Sequence, residues 1–291
     1  DIPAPDVYTN EQTMAWVFDT FDAFHRGQNN RAVVTGKPLR LGGSLGRDAA
    51  TGRGCLNATE RFLEHGLCGS LESLAGLSVA IQGLGNVGSN AMRLFSEAGA
   101  KIVCVSDSQG GVADDAGLDP DEVMAHKAEN GTVVGLPETK TITNEDLLTW
   151  DCDVLIPAAL ECQILEENAD KVRAKLIVEA ANAPVSPEAD EILQERGIVV
   201  LPDIVANGGG VVVSYFEWVQ NLENQQWPLD EVETKLKHKM ETAVDAIIAR
   251  WRHIHDNHSR ADGAAPTLRD AALVEAIRRL SEVILQRDIW M

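Results

Sequence analysis

A glycine-rich segment at residues 79–88, VAIQGLGNVG, offers the most direct clue to the chemistry of this chain. Its glycines, Gly83, Gly85 and Gly88, are spaced as G-x-G-x-x-G between an apolar run and a segment of helical character. In dinucleotide-binding sheets the first glycine permits a tight turn, the second lets the backbone approach a pyrophosphate, and the third lets the helix pack on its strand. The free N–H groups at the helix start would then bind the phosphates. The segment predicts a dinucleotide site; a glycine turn without a ligand is the alternative.

An acidic residue, Asp107, ends the next apolar run, KIVCVSD, 19 residues after Gly88. A carboxylate at this position accepts hydrogen bonds from the adenosine ribose and repels a 2′-phosphate. The residues that follow, SQGG, contain no Arg or Lys to hold such a phosphate, although Ser108 and Gln109 could still donate hydrogen bonds to it. The pattern favours NAD as the cofactor and leaves NADP open.

Small and amide residues follow the later apolar runs, where strands of a parallel sheet would end. Asn182 follows Ala180-Ala181, and Asn207 precedes three glycines. Ligands of open α/β sheets bind beyond the carboxyl ends of the strands, which would bring both amides to the nicotinamide half of the cofactor. Asn is also a common turn residue, so a purely structural role is the alternative.

Positioning these residues requires an ordered alternation of strands and helices. Short apolar runs alternate with longer helical segments, which predicts an α/β fold with a Rossmann-like doubly wound, parallel sheet. The predicted strands cover 78–82, 101–106, 153–156, 175–179 and 198–201. The predicted helices cover 10–27, 56–65, 87–98, 229–253 and 267–286. We predict a linking helix in 1–30, a dinucleotide-binding domain in 31–215 and a C-terminal helical segment in 216–291.

A formal net charge of −20, from 45 acidic and 25 basic residues, dominates the composition. Such a surface repels phosphates and anionic lipids, so neither nucleic acid nor a membrane is an expected partner. The acidic excess indicates either a surface adapted to a salty cytoplasm, as in halophiles, or an ordinary acidic cytoplasmic protein. Both interpretations stay open.

Cysteine and histidine spacing argues against a metal site. The five cysteines form no C-x-x-C pair, so we expect reduced, buried thiols and no bound metal. Three histidines cluster as HIHDNH at 253–258, at the end of a predicted helix, where a solvated surface is the simpler interpretation.

Six segments in a fixed order resemble the glutamate dehydrogenases of the Glu/Leu/Phe/Val dehydrogenase family, in particular the hexameric archaeal and bacterial enzymes. The segments are DIPAPDVYTNEQTMAW (1–16), VVTGKP (33–38), GGSLGRDAATGRG (42–54), QGLGNVG (82–88), EAANAP (179–184) and DIVANGGGVVVSYFEWVQN (203–221). The resemblance covers essentially the whole chain. It implies oxidative deamination of L-glutamate to 2-oxoglutarate and ammonium, with hydride transfer to NAD or NADP, in a homo-oligomer expected to be a hexamer.

The resemblance also implies roles for individual residues. Asp6, in the PAPD motif, would be catalytic and exchange protons with the substrate amine, and Ser214 would bind the substrate side-chain carboxylate. Arg47 and Thr51 would lie near the nicotinamide carboxamide. The cofactor loop would comprise Gln82, Gly83, Leu84, Gly85, Asn86, Val87 and Gly88.

Members of this family carry a domain before the PAPD motif, with one lysine that activates water and another that binds the substrate α-carboxylate. The first lysine here is Lys37, inside the TGKP motif, which matches neither. We therefore expect this chain to be the cofactor-binding part of the enzyme, without most of the catalytic machinery. The last helix would then expose Leu273, Ile277, Leu280 and Ile284. A branched-chain or aromatic amino-acid dehydrogenase and a non-catalytic NAD-binding module are the alternatives.

Overall fold

The computed structural model describes residues 2–6, 8–257 and 265–287, and within them a seven-stranded sheet lies between helices. The strands are β1 (Ser78–Gln82), β2 (Lys101–Asp107), β3 (Gly110–Ala113), β4 (Lys140–Ile142), β5 (Val154–Pro157), β6 (Leu176–Val178) and β7 (Val199–Leu201). Their order across the sheet is β4-β3-β2-β1-β5-β6-β7. The chain winds outward from β1 in both directions, so the predicted Rossmann-like fold is confirmed.

The sheet is mixed, whereas only parallel strands were predicted from the sequence. The five predicted strands correspond to β1, β2, β5, β6 and β7, which are parallel. β3 pairs antiparallel with both β2 and β4. β3 was missed because its Gly110-Gly111 start is typical of a turn. A Cβ on Gly111 would lie 2.9 Å from the carbonyl oxygen of Val105, so close strand packing requires glycine here.

Helices cover the sheet and extend beyond it. They are α1 (Glu11–Phe24), α2 (Ala50–Glu64), α3 (Asn86–Glu97), α4 (Pro120–Asn130), α5 (Asn144–Leu148), α6 (Glu166–Ala169), α7 (Pro187–Glu195), α8 (Asp203–Ala206), α9 (Gly209–Glu223), α10 (Leu229–Asn257) and α11 (Leu268–Gln286). Capping boxes start α1 at Asn10 and α11 at Thr267. These local signals explain why the sequence predicted both starts.

α2 begins at Ala50, six residues before the predicted start at 56. The prediction was wrong because Gly52 and Gly54 have poor intrinsic helix propensity. Packing overrides that propensity. A Cβ on Gly52 would lie 2.9 Å from the backbone nitrogen of Ala91 in α3, and one on Gly54 would lie 2.7 Å from the Cα of Gly209 in α9. The two glycines let three helices approach closely.

The sheet is buried on both faces. Val79 and Ile81 of β1 pack into one cluster with α2, α3 and α10, while Ala80 points into a second cluster with α5 and α7. Such double burial explains why the parallel strands are continuous apolar runs in the sequence.

Apolar side chains remain uncovered on the outermost helices. Leu273, Ile277, Leu280 and Ile284 of α11 are 43–66% exposed, as predicted. Trp16 and Phe24 of α1 are 63% and 81% exposed. None of the described helices is long and apolar enough to cross a membrane. The division at 30/31 and 215/216 stays a prediction, and its second boundary falls within α9.

Candidate functional site

The glycine loop between β1 and α3 contains three glycines, and the space around the Cβ position differs among them. Gly83 has φ +88°, and a Cβ there would lie 2.8 Å from the Cβ of Ala159. A Cβ on Gly88 would lie 1.8 Å from the carbonyl oxygen of Gly83. The Cβ position of Gly85, by contrast, has nothing within 4 Å. The protein's own packing requires glycine at 83 and 88, and the space above Gly85 is open, as a cradle for a pyrophosphate would be.

Side chains around this loop hold it in place. The Lys127 Nζ, from α4, donates to the carbonyl oxygen of Leu84 at 2.5 Å. The Asn86 side chain donates to the carbonyl oxygen of Asp48, which lies just before α2. Gln82 is buried under the loop and donates to the Gln163 side chain at 2.8 Å. Lys127 was not predicted from the sequence, since nothing in its local pattern relates it to a loop 43 residues earlier.

Asp107 ends β2, and its carboxylate is engaged within the protein. It accepts hydrogen bonds from the backbone nitrogens of Gln109 and Val133 and from the Thr132 hydroxyl, at 2.7–3.1 Å. These bonds anchor the turn after α4. Ser108 is exposed and lines a groove with the start of α5.

A cleft opens where β5, β6 and β7 end, and it brings together several predicted residues. Asn207 donates from its side chain to the Asn182 Oδ1 at 2.7 Å and to the carbonyl oxygen of Ala181 at 3.2 Å. The cleft is lined by Arg47, Thr51, Val87, Ala158, Ala159, Leu160, Glu161, Ala180, Ala181, Asn182, Asn207, Gly210 and Val211. A Cβ on Gly210 would lie 2.7 Å from the Thr51 Oγ1, so a larger residue here would force the Thr51 side chain to move.

A second pocket adjoins this cleft through two shared residues, Arg47 and Val211. Its lining is Ile2, Ala4, Pro5, Thr35, Arg47, Val211, Ser214, Tyr215 and Trp218. Inside it the Arg47 Nε donates to the Ser214 Oγ at 3.1 Å. Burial lowers the pKa of Arg47, an effect opposed by the charges of Glu217 and Asp48. The guanidinium is still cationic at neutral pH because its pKa starts so high.

A buried ion pair that was not predicted from the sequence lies behind the second pocket, between α9 and the segment that contains Thr35. The Lys37 Nζ lies 2.7 Å from the Glu217 Oε1, and both side chains are fully buried. Glu217 also accepts from the backbone nitrogens of Gly36 and Lys37. The preceding Thr35 nitrogen donates to the carbonyl oxygen of Pro3 at 2.9 Å. The pair therefore joins α9, which carries Ser214, to residues 35–37, and these are in turn hydrogen-bonded to the segment that leads into Asp6.

The family model for the Glutamate/Leucine/Phenylalanine/Valine dehydrogenases matches residues 42–287. The chain belongs to this family. Among solved structures it is similar to the hetero-hexameric glutamate dehydrogenase of Thermus thermophilus in its leucine-bound form, at 35% identity and a TM-score of 0.88. It also resembles glutamate dehydrogenase of Peptoniphilus asaccharolyticus, at 33% identity and a TM-score of 0.81.

These similarities cover nearly all of this chain and part of each relative. The alignments include 100% and 99% of this chain but 65% of the Thermus and Peptoniphilus chains. Glutamate dehydrogenase 2 of Plasmodium falciparum, at 26% identity and a TM-score of 0.87, matches over 99% of this chain and 62% of its own. The predicted relation to this dehydrogenase family is confirmed.

Within the described residues, no cysteine or histidine lines either the cleft or the second pocket. Cys55, Cys68, Cys104 and Cys152 are buried, as predicted, but the prediction was wrong for Cys162, which is exposed. Burial raises the pKa of the Cys55 and Cys152 thiols to about 12 and that of Cys68 to about 11.

Within the described residues, no group of three or more His, Cys, Asp or Glu is arranged to hold a metal ion. His253 and His255 lie on exposed turns of α10, and His258 is outside the described residues.

Proposed function

We propose that this chain is the cofactor-binding part of an NAD-dependent glutamate dehydrogenase, which oxidises L-glutamate to 2-oxoglutarate and ammonium. The observation that carries the proposal is the position of Arg47, whose side chain lines both the cleft at the strand ends and the pocket that contains Ser214. A nicotinamide in the cleft and a substrate in the pocket would meet beside this residue. The cofactor supplies the hydride acceptor, and the protein binds and orients the substrate.

A cation beside the pocket supports a dicarboxylic substrate. A side-chain carboxylate in the pocket would accept a charge-assisted hydrogen bond from the Ser214 hydroxyl and would lie close to the Arg47 guanidinium. Asp6 directly follows Pro5, which lines the pocket. Its carboxylate can accept a proton from the substrate amine and return one later in the reaction.

Negative charge beside the adenosine position supports NAD over NADP. Asp107 ends β2, and the groove next to Ser108 is lined by Glu145 and Asp146 at the start of α5. Hydrogen bonds from Thr143 keep the pKa of Asp146 below its usual value, so its carboxylate is ionised at neutral pH. A 2′-phosphate in this groove would be repelled by these carboxylates.

The cellular location, the oligomeric state and the domain division of the enzyme are also part of the proposal. We expect a cytoplasmic homo-oligomer, a hexamer when the family's full length is present, and the relative from Thermus, although hetero-hexameric, supports the assembly of six subunits. The uncovered apolar side chains of α1 and α11 would be covered in it. The predicted division into a linking helix, a dinucleotide-binding domain and a C-terminal segment belongs to the same proposal. Adaptation to high salt and an ordinary acidic surface stay the two interpretations of the net charge of −20.

Two measurements test the proposal. Fluorescence titration should give tighter binding of NADH than of NADPH to this chain. Initial rates of NAD reduction, on the protein translated from its native start codon, should be higher with glutamate than with leucine or phenylalanine.

Ser214→Ala should lower kcat/KM for glutamate about 10- to 100-fold, the value of one hydrogen bond to a charged group. The control Thr242→Ala removes a hydroxyl that bonds only within α10 and should leave the rate unchanged. Failure to bind either nucleotide would refute the proposal.

The apolar lining of the pocket favours a second candidate, a branched-chain or aromatic amino-acid dehydrogenase. Ile2, Val211, Tyr215 and Trp218 would suit a substrate with an apolar side chain. In that case leucine or phenylalanine would be the better substrate and Ser214→Ala would change kcat/KM little. The same rate measurements therefore decide between the two functions.

A further inference from the structure

Arg269, at the start of α11, contacts three carboxylates from three different elements. Its Nη2 lies 2.7 Å from the Glu179 Oε1 after β6, and its Nε lies 3.0 Å from the Asp190 Oδ2 in α7. Its Nη1 lies 3.3 Å from the Asp203 Oδ1 at the start of α8. Glu179 is fully buried and Asp190 nearly so, while the Arg269 side chain is 21% exposed. The guanidinium therefore binds the C-terminal helix to the carboxyl edge of the sheet.

Hydrogen bonds continue from this cluster to the turn that carries Asn182. The Glu179 Oε2 accepts from the backbone nitrogen of Asp203 at 2.7 Å, and the Asp203 Oδ2 accepts from the backbone nitrogen of Ala183 at 2.8 Å. Ala183 has φ +43°, a left-handed conformation that is unfavourable for a non-glycine residue and must be held by its surroundings. Asp203 supplies that restraint, and Arg269 holds Asp203.

Asn207 directly follows α8, the short helix that begins at Asp203. The backbone nitrogen of Asn207 donates to the carbonyl oxygen of Asp203 at 3.2 Å, and its side chain donates to the Asn182 Oδ1 at 2.7 Å. Both amides of the cleft thus depend on Asp203, one through Ala183 and the other through α8. A change at Arg269 would reach both amides and would not reach the glycine loop by these contacts.

We propose that Arg269 is a positioning residue that holds the Asn182–Asn207 amide pair in the arrangement that binds the nicotinamide half of the cofactor. It acts through Asp203 and Glu179 and touches no part of the cofactor itself. This inference rests on the proposed binding of NAD(H). It also implies that α11, whose outer face is exposed and apolar, is connected to the nicotinamide end of the cleft by ion pairs and hydrogen bonds.

The test compares two ligands that share the adenosine and pyrophosphate groups but differ in the nicotinamide. NADH binding is followed by the fluorescence of its nicotinamide, and ADP-ribose binding by calorimetry. We expect Arg269→Gln to weaken NADH binding about tenfold and to reduce the fluorescence enhancement of bound NADH, because an ordered amide pair is worth about one to two hydrogen bonds. ADP-ribose affinity should stay within about twofold of the original value, since the glycine loop is unaffected. Arg269→Lys, which retains the charge, should recover part of the loss.

Arg279→Gln is the matched control, because Arg279 is on the same helix and pairs with Glu275 on its own element. It should change neither affinity. If Arg269→Gln does not fold, Asp203→Ala removes the acceptor for the Ala183 nitrogen and should produce the same selective loss of NADH affinity. Unchanged NADH affinity, or an equal loss for both ligands, in whichever of the two variants folds would overturn the inference. An original chain that binds neither ligand would instead refute the proposed function.

Discussion

Replacing Gly85 with alanine should separate cofactor binding from folding stability. Gly85 is the N-cap residue of α3, with φ −77° and ψ −160°, a conformation open to any amino acid. A Cβ there meets no protein atom within 4 Å. The fold therefore makes no steric demand for glycine at this position, and only a ligand close to the backbone would. Gly88 is the natural comparison, because its added Cβ would lie 1.8 Å from a carbonyl oxygen.

The expected changes in the free energy of unfolding differ in size between the two positions. For Gly85→Ala, the lower entropy of the unfolded chain stabilises by about 0.4–1 kcal/mol, and the poorer N-cap destabilises by a similar amount. The net change in the free energy of unfolding should lie within about 1 kcal/mol of zero. For Gly88→Ala, the overpacked backbone should cost about 1–3 kcal/mol or more. A methyl group above Gly85 would displace one or two hydrogen bonds to phosphate, about 1.5–3 kcal/mol, or roughly a 10- to 100-fold loss of NADH affinity.

Urea unfolding followed by the fluorescence of the six tryptophans measures the first quantity, and NADH titration measures the second. If Gly85→Ala destabilises as much as Gly88→Ala, then the loop needs glycine for folding and the reasoning from open space is wrong. Unchanged NADH affinity in a well-folded Gly85→Ala protein would show that no phosphate approaches this backbone.

Three further predictions follow from buried charges and thiols. Lys37→Met should lower the free energy of unfolding by about 3–5 kcal/mol in urea titrations, because it leaves the buried Glu217 carboxylate unpaired; the double variant with Glu217→Gln should recover much of this loss. Burial raises the pKa of Glu179 and Arg269 opposes the rise, so Arg269→Gln should raise that pKa further. When the pKa of a carboxyl is higher in the folded than in the unfolded state, the protein becomes less stable as the pH rises from the unfolded-state pKa to the folded-state pKa. Arg269→Gln should therefore destabilise the protein more at pH 7.5 than at pH 5 in paired urea titrations. A thiol reagent at pH 8 should modify Cys162 in the native protein and the remaining cysteines only after unfolding, as absorbance of the released thiolate would report.

Each of these predictions has an outcome that contradicts it. A double variant at Lys37 and Glu217 that is no more stable than Lys37→Met would mean that the pair contributes packing rather than charge compensation. Equal destabilisation of Arg269→Gln at both pH values would show that Glu179 does not titrate between them. Reaction of more than one thiol in the native protein would contradict the burial of the other four cysteines. So would a native Cys162→Ser protein that reacts with the reagent as much as the original protein does.

Local sequence patterns determined much of this protein. The five parallel strands were predictable because each is a short apolar run buried on both faces, and the starts of α1 and α11 were predictable because capping residues act within a single turn. The glycine loop was recognisable because its spacing, the strand before it and the helix after it are contiguous. Family membership likewise followed from short segments read in order.

Only the tertiary structure decided the features that depend on residues far apart in the chain. The start of α2 contradicts local propensity because Gly52 and Gly54 are required by contacts with α3 and α9. Lys37 meets Glu217 across 180 positions, and Arg269 meets Glu179 across 90. A single sequence carries no periodic signal for such pairs, since their partners are set by how the sheet and helices pack. For the same physical reason, the residues that hold the clefts in shape emerged from the fold, while those that line the cofactor loop could be read from the sequence.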